Sequence, residues 1–574
     1  MPTRWLARQP APAVETLAQL QATGLTSDVA ALLVRRGVAT TAEATAFLTP
    51  GVAGLHDPLL LKGMREALDL LMAAHGRSEP VAVIGDYDVD GLTATALLVG
   101  VFQAVGITAR GILPNRHAGG YGPQPEHMRQ AEELGCRLVV TADCGIRAHE
   151  AIAEATRRGL TVIVTDHHLP GDEALGAAAV INPRQAGCTY PFQDLAGVGL
   201  ALKLAAALLQ RFERQVPWTA LFRIACLGTI ADAAPLVGEN RVLASCGLAS
   251  LAATPSVGLR ALLAEAEVGS PVSAHDVGFR IGPRLNAAGR LGAADPALEL
   301  LLTRDATRAR ELAAELGRCN NQRRVLEKQV VEDCAARYEG RALPPILVGW
   351  SAVWHRGVVG IAAGRLARQF HRPAVLFAVA DGVAVGSGRS VPGVDLHEFV
   401  SRWEPQLERF GGHAQAIGLT LSSALLAELA PEWEAAAAAW PPEFLAPVFD
   451  YDQPEKLAAV TPELLARLQR LAPFGVGNPE PIFRFGPCRR VGSARPFGAG
   501  HLSFVAMDRG DATPATPATP ADTAGVEVVA WGWAERAAQS GLFDGEFEML
   551  AAVEHDRYRN RTRLRLVDSR PAGD

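Results

Sequence analysis

Three apolar runs in the first third of this chain each end on an aspartate, and that repetition constrains the fold more than any other feature. VAVIG at 81–85 runs into DYDVDG, RLVVT at 137–141 into ADCG, and TVIVT at 161–165 into DHH. Helical patterns at about 92–105, 124–135 and 147–158 separate them, with further strands predicted at 107–113 and 177–181. Continuous apolar strands alternating with helices predict a doubly wound parallel sheet, covered on both faces. Ligands of such sheets bind outside the carboxyl ends of the strands, so the aspartates should converge on one edge.

A chain of 574 residues is too long for one core; at roughly 100–200 residues per domain it should form about three or four. Residues 1–50 read as short amphipathic helices, and 51–303 hold the parallel sheet followed by helices. A charged helical stretch at 304–340 would span ~50 Å at 1.5 Å per residue and acts as a connector. A smaller α/β unit is expected at 341–430. From about 470 short strands and turns alternate as in a small β-barrel, within a last domain at 431–574. The repeat ATPATPATP at 512–520 cannot build a core and reads as a loop.

Apolar residues at 49% and charged residues at 20% fit a soluble globular protein. The net charge of −6 does not announce nucleic-acid binding, so any such path must be local. The eight cysteines lack CxxC spacing, which argues against a zinc knuckle or a disulfide framework and fits a reducing cytoplasm. The N-terminal MPTRWLARQPAPAVETLAQL shows neither a signal peptide nor an anchor, and no run reaches the ~18 apolar residues of a spanning helix. The expectation is a soluble, cytoplasmic protein.

Asp86, Asp88 and Asp90 fall within five residues after the strand at 81–85. Carboxylates so close repel unless cations compensate them, and hard divalent cations prefer oxygen ligands. A solvated acidic turn with an N-cap would read the same way. Asp143 follows the strand at 137–141, and Asp166, His167 and His168 follow the strand at 161–165. Asp232 ends the apolar run LGTIAD, as a ligand or as a cap. Together they fit two closely spaced Mn²⁺ or Mg²⁺ ions hydrolysing a phosphoester.

DYDVDG, TADCGI, DHH and GTIAD stand in the order of the four motifs of the DHH phosphoesterases, which the chain resembles. GGHAQAIG at 411–418 resembles the glycine-rich motif of that superfamily's accessory domain. NRHAGGYG at 115–122, RIGPRLNAAGRLG at 280–292 and LAPFGVGNPEPIF at 471–483 are similar to RecJ-type exonucleases. The resemblance implies that Asp86, Asp88, Asp90, Asp143, His167 and Asp232 hold two Mn²⁺ or Mg²⁺ ions, Asp86 directly or behind the others. It implies that His168, Asp166 and Asp143 are catalytic, with His168 facing the phosphate and Asp166 orienting a histidine. Val89 and Ile417 depart from the small residues usual there, without removing a donor or ligand.

Arg116 and Tyr121 pair a guanidinium with an aromatic face, as proteins that bind single strands without reading sequence do. Arg280, Arg284, Asn286 and Arg290 form a polar cluster suited to a phosphodiester backbone, or to helix capping and surface salt bridges. Ser387, Arg389 and His413, with Gly411 and Gly412, offer donors in the manner of an anion nest. Arginines at alternate positions from 557 to 565 would share one face of a hairpin, as DNA contacts or as a solvated face.

The resemblance implies 5′→3′ exonuclease action on single-stranded DNA with a free 5′ end, in repair and recombination. It also implies an oligonucleotide-binding type for the C-terminal barrel, and a single-strand-binding protein and a helicase as partners, with no membrane. The alternatives are a DHH phosphodiesterase for short oligonucleotides or cyclic dinucleotides, and a non-catalytic scaffold of the Cdc45 kind. The complete set of expected ligands argues against the scaffold.

Overall fold

The computed structural model describes residues 3–9, 11, 13–114, 122–510, 525–556 and 559–573. They divide into two compact units, one of Leu55–Ala234 with Cys246–Pro447, the other of Thr3–Gly54 with Pro235–Ser245 and Val448–Asp574.

The first unit contains the expected sheet, with strands Val81–Gly85, Ala109–Ile112, Leu138–Ala142, Thr161–Thr165 and Ala179–Ile181. All pairings are parallel, in the spatial order 109–112, 81–85, 138–142, 161–165, 179–181. This order reverses between 81–85 and 138–142, so the ligand-binding switch point falls where Asp86 and Asp143 emerge. One face packs Ala82, Ile84, Val139 and Val164 against Met128, Ala131, Ile152 and Ala155 of the covering helices. Each fully buried valine or isoleucine contributes about 1.5–3 kcal/mol relative to exposure. The central strands Val81–Gly85 and Leu138–Ala142 are buried throughout because both of their faces are core, whereas the edge strand Ala109–Ile112 exposes Arg110.

The connector is a helix of 31 residues, Ala306–Ala336, capped by the Asp305 side chain on the N–H groups of Thr307 and Arg308. Its first half buries Leu312, Ala313 and Leu316 against the helices that follow the parallel sheet. Its last turns bury Val330, Val331 and Cys334 in a second core with Leu347, Leu366 and Leu376. That core belongs to a mixed sheet in the order 409–413, 416–422, 383–389, 374–380, 347–351, in which only 347–351 and 374–380 pair in parallel. The helix Leu426–Ala437 packs Leu426, Leu429 and Trp433 on this sheet beside Phe377 and Phe399. This apolar face carries the unit to Pro447, past the boundary expected at 430.

In the second unit the strands 483–497, 501–508, 526–530, 561–571 and 547–556 pair in that order, and 547–556 closes back onto 483–497. The helix Ala534–Ser540 lies between the third and fourth strands in sequence. This is the five-stranded closed barrel of the oligonucleotide-binding fold. Residues 1–50, read as short amphipathic helices, pack here, with Leu20, Leu32 and Leu33 sharing one core with Leu464, Phe483, Phe485 and Phe547. Arg4–Ala7 also pairs in parallel with Val448–Tyr451. Asp452 ties the segments together, accepting from Arg8 at 2.7 Å, Arg36 at 3.3 Å and the Ile482 N–H at 3.0 Å.

The Arg36 side chain is only 1% exposed, so removing its carboxylate leaves a buried, uncompensated cation. Asp452→Ala should therefore cost about 3–5 kcal/mol. Hydrogen exchange should show lost protection in the helix Ser27–Val34 and unchanged protection in Val81–Gly85. Unaltered exchange in Ser27–Val34 would refute the dependence of this segment on Asp452.

Candidate metal centre

The strand Val81–Gly85 delivers Asp86, and the chain turns at once into the helix Val89–Ala104, with Asp88 as its N-cap accepting from Asp90 N–H at 2.9 Å and Gly91 N–H at 3.1 Å. Asp90, 1% exposed, accepts from the Gly197 and Val198 N–H groups at 2.7 and 2.8 Å. Those donors are the first turn of the helix Gly197–Arg211, whose dipole favours a carboxylate there. A Cβ on Gly197 would lie 2.4 Å from Asp143 Cβ, and one on Gly228 2.7 Å from Asp90 Oδ1. Glycine at these two positions lets helix backbones close on the carboxylates.

Asp143, 2% exposed, follows Leu138–Ala142 in the left-handed region at φ 64°, a strained conformation for a residue other than glycine. Its Oδ1 lies 3.1 Å from His167 Nε2, and neither buried atom has a hydrogen-bond partner among the described residues. His167 Nε2 is also 3.9 Å from Asp90 Oδ2 and 4.0 Å from Asp232 Oδ2. Asp232 caps the carboxyl end of Trp218–Ala231, where the helix dipole disfavours an acid. Three sets of possible ligand atoms result, Asp90 with His167 and Asp232, Asp86 with Asp88 and Asp143, and Asp143 with His167 and His168 joining them, the atoms of each set within 4.8 Å of one another.

Burial, then the charges of Asp90 and Asp88, hold Asp143 well above the ordinary carboxylate range. Burial and Asp232 do the same to Asp90. Burial and Asp88 push Asp232 up to about 7, and burial with the His168 charge pushes His167 down to about 4. A neutral imidazole and crowded carboxylates, two of their atoms unpartnered, form a donor set that divalent cations fit. Asp166 differs from these carboxylates. Although burial works against it, the hydrogen bond from His168 Nδ1 at 2.7 Å lowers its pKa, and its Oδ2 accepts the Ile146 N–H at 2.9 Å. For His168 burial pulls the pKa down, but the Asp166 carboxylate outweighs it and raises it. Its ring is the more exposed of the two.

The polar residues expected along a nucleic-acid path are only partly brought together. Arg116 and Tyr121 lie outside the described residues. Arg280 donates to the Glu267 carbonyl at 2.6 Å and pairs with Asp276 at 3.5 Å, while Arg284 donates to the Arg280 carbonyl at 2.8 Å. Asn286 and Arg290 are one turn apart on the helix Gly282–Leu291, where i and i+2 positions such as Arg284 and Asn286 do not share a face. In the accessory sheet Arg389 pairs across Ala416 with His413, and Ser387 pairs across Gly418 with Gly411. These rows share one face, with Arg389 Nη1 donating to Ser387 Oγ at 3.1 Å. Added Cβ atoms on Gly411 and Gly418 would meet nothing within 4 Å, so the backbone beside them is open.

The alternating arginines of the last hairpin are neutralised. Arg559 and Arg561 pair with Glu527, Arg563 with Glu554 and Asp556, and Arg565 with Glu480; Arg557 is outside the described residues. Two aromatic groups escaped the sequence reading. Phe279, 73% exposed, stacks on His275 with ring centroids 4.6 Å apart. On the barrel Phe497, His501 and Trp531 contact one another at 4.8–5.4 Å. Phe279 stands on the helical segment Val277–Ile281, Phe497 ends the strand Phe483–Phe497 and Trp531 follows the strand Val526–Ala530, so in sequence each is only an isolated aromatic.

A carboxyl whose pKa is raised on folding contributes stability when protonated and loses it as pH rises past its unfolded value. At pH 7 without cations Asp143 therefore opposes folding. Asp143→Asn should raise the melting temperature in EDTA, and Mn²⁺ should stabilise the unaltered protein strongly and the variant little. Equal stabilisation of both by Mn²⁺ would remove Asp143 from the ligand set.

Residues 80–229 match the model of the DHH family, N-terminal domain, 344–439 that of the DHHA1 domain, and 451–567 that of the RecJ OB domain. The single-stranded-DNA-specific exonuclease RecJ of Bacillus subtilis is 39% identical over 80% of this chain, and that match spans 58% of the relative's length. RecJ of Dickeya dadantii is 38% identical over 79% of this chain and 82% of its own. Among solved structures, RecJ of Thermus thermophilus in complex with Mn²⁺ superposes with a TM-score of 0.83 at 32% identity, covering 100% of this chain and 80% of that one. The chain belongs to the RecJ family of DHH phosphoesterases.

Proposed function

We propose that this chain hydrolyses phosphodiester bonds of single-stranded DNA from the 5′ end with two Mn²⁺ or Mg²⁺ ions. The observation that carries the reading is the pair of ligand sets meeting at Asp143 and His167 on the switch-point edge of the parallel sheet. Similarity to RecJ exonucleases, that of Thermus thermophilus being solved both with Mn²⁺ and with Mg²⁺, supports the substrate and the ions. When bound, the ions supply positive charge to the scissile phosphate and lower the pKa of the attacking water.

The chain's own part is positioning and proton holding. Asp86, Asp88, Asp90, Asp143, His167 and Asp232 would hold the ions. His168, whose proton affinity Asp166 raises, donates from its other ring nitrogen to a phosphate oxygen. We assign 51–303 to catalysis, the helix at 304–340 to spacing, the accessory sheet to the strand's end, and the barrel to capture of the strand. Phe497, His501 and Trp531 give that barrel a stacking row, which holds bases without selecting sequence. Repair and recombination, a cytoplasmic location, and a single-strand-binding protein and helicase that present 5′ ends belong to the same proposal. Among the described residues no helix is long and apolar enough to cross a membrane.

Digestion of 5′-labelled and 3′-labelled single strands and duplexes with Mn²⁺, Mg²⁺ or EDTA tests the function. Release of the 5′ label from single strands only, abolished by EDTA, is expected. Cutting confined to very short oligonucleotides would favour the small-substrate alternative, and no cutting a scaffold.

Two variants test the roles. Removing the carboxylate that raises the His168 pKa must lower that pKa, so Asp166→Asn should cut kcat about 10–100-fold and shift the alkaline limb of its pH profile to lower pH. An unmoved limb would deny His168 its role as proton donor. Arg389 and Ser387 offer charge-assisted donors to a terminal phosphate, next to a cavity of about 280 Å³ also lined by Arg368 and Gln415. Arg389→Ala should reduce cutting of 5′-phosphorylated strands strongly and narrow their advantage over 5′-hydroxyl strands. Equal loss on both would make Arg389 a general contact.

A further inference from the structure

Arg184, which no motif singled out, stands at the same sheet edge as the metal ligands. The strand Ala179–Ile181 is the last of the parallel sheet, and the residues after its carboxyl end are stitched to the DHH loop. Ile181 O accepts the Asp166 N–H at 3.2 Å, and the Asn182 side-chain amide donates to His168 O at 2.8 Å. Asn182 is fully buried, and its Oδ1 accepts the Arg184 N–H at 2.7 Å. Arg184 is thus two hydrogen bonds from His168, with a backbone as fixed as the ligands themselves.

Its guanidinium is aimed as well as anchored. Nη2 donates to Asp194 Oδ1 at 3.0 Å and Nε to the Gln193 carbonyl at 3.3 Å. Nη1 has no hydrogen bond among the described residues, and the side chain is 31% exposed. The positive charge is felt at the metal ligands, where it lowers the proton affinity of both His167 and Asp232. A guanidinium held by two of its nitrogens, with a third open beside a phosphate-hydrolysing centre, is a preorganised oxyanion donor. Its place just after the outermost strand puts it at the flank of the ligand cluster, where a bound strand would continue beyond the scissile bond.

Resting on the proposed single-strand hydrolysis, we propose that Arg184 is a catalytic residue whose Nη1 donates to a non-bridging oxygen of the phosphodiester next to the scissile one. Asn182 and Asp194 are its positioning residues. The contact fixes the strand so that the scissile phosphate stays seated during attack.

The test is a cycle between Arg184→Ala and single-stranded deoxyoligonucleotides carrying one neutral methylphosphonate, moved linkage by linkage from the 5′ end. It is read in cutting with Mn²⁺ and in equilibrium binding with EDTA. At one linkage the methylphosphonate should cost the unaltered protein about 10–100-fold in kcat/KM and cost Arg184→Ala nothing further, with additive losses elsewhere. Arg184→Lys, which keeps the charge but not the fork, should recover part of the rate at the same linkage. Asp194→Asn should weaken the same coupling without altering Mn²⁺ affinity. Additive losses at every linkage, or a fall in Mn²⁺ affinity in Arg184→Ala that accounts for its lost activity, would overturn the role of Arg184. Failure of the unaltered protein to cut single strands would instead overturn the function on which it rests.

Discussion

Asp90 and Asp143 lie in a space from which water is almost wholly excluded; burial raises the proton affinity of both, and the charge of Asp90 raises that of Asp143 further. Two like charges ~4 Å apart repel by about 4 kcal/mol at an effective dielectric of about 20. The chain offsets part of this with main-chain donors, Gly197 and Val198 to Asp90, and Asp90 and Gly91 to Asp88. The rest is left uncompensated, and the strained backbone of Asp143 keeps its carboxylate among the others. A fold that maintains such an arrangement stores affinity for divalent cations in the protein itself. Its glycines follow from the same need, since Gly197 and Gly228 are the points at which a side chain would displace Asp143 or Asp90.

Much of this edge was legible because it is local. An apolar run long enough for one strand, followed at once by aspartate, fixes both the element and the end of the sheet at which the carboxylate emerges. Val81–Gly85 and Thr161–Thr165 lie where their sequence places them, and Asp232 was legible as the polar end of an apolar helix. Partners were not legible. Nothing in RWLA announces that it pairs with Val448–Tyr451, or that Arg36 will be buried on Asp452, a residue from the far end of the chain. The hairpin arginines show the same limit from the other side. Alternation predicts that they share a face, but whether that face meets phosphate or carboxylate depends on Glu527, Glu554 and Glu480, which approach from elsewhere in the fold.

Arg389 and the hairpin arginines have similar local sequence signals and different surroundings. Glu527, Glu554 and Glu480 hold the hairpin guanidiniums, whereas the row of Arg389, Ala416 and His413 borders the uncovered backbone of Gly411 and Gly418. With a net charge of −6 the protein has no general attraction for a polyanion, so such local surfaces must supply it. Glycine suits this place for a reason unrelated to flexibility, because the absence of a side chain leaves the face beside Arg389 and His413 uncovered.

The helix Ala306–Ala336 bears on the proposed reaction through its stiffness. Leu316 is buried in the core beside the parallel sheet and Val330 in the core of the accessory sheet. The continuous helix between them sets those anchors about 21 Å apart at about 1.5 Å per residue. Both ends are packed rather than hinged, so the separation between the proposed terminal-phosphate pocket at Arg389 and the proposed metal ligands is fixed by helix geometry instead of by a loop. An enzyme that measures from a strand's end needs such a fixed distance, because the anchored end determines which phosphodiester reaches the ions. A flexible linker would leave that choice to diffusion and blur an exonuclease into an endonuclease.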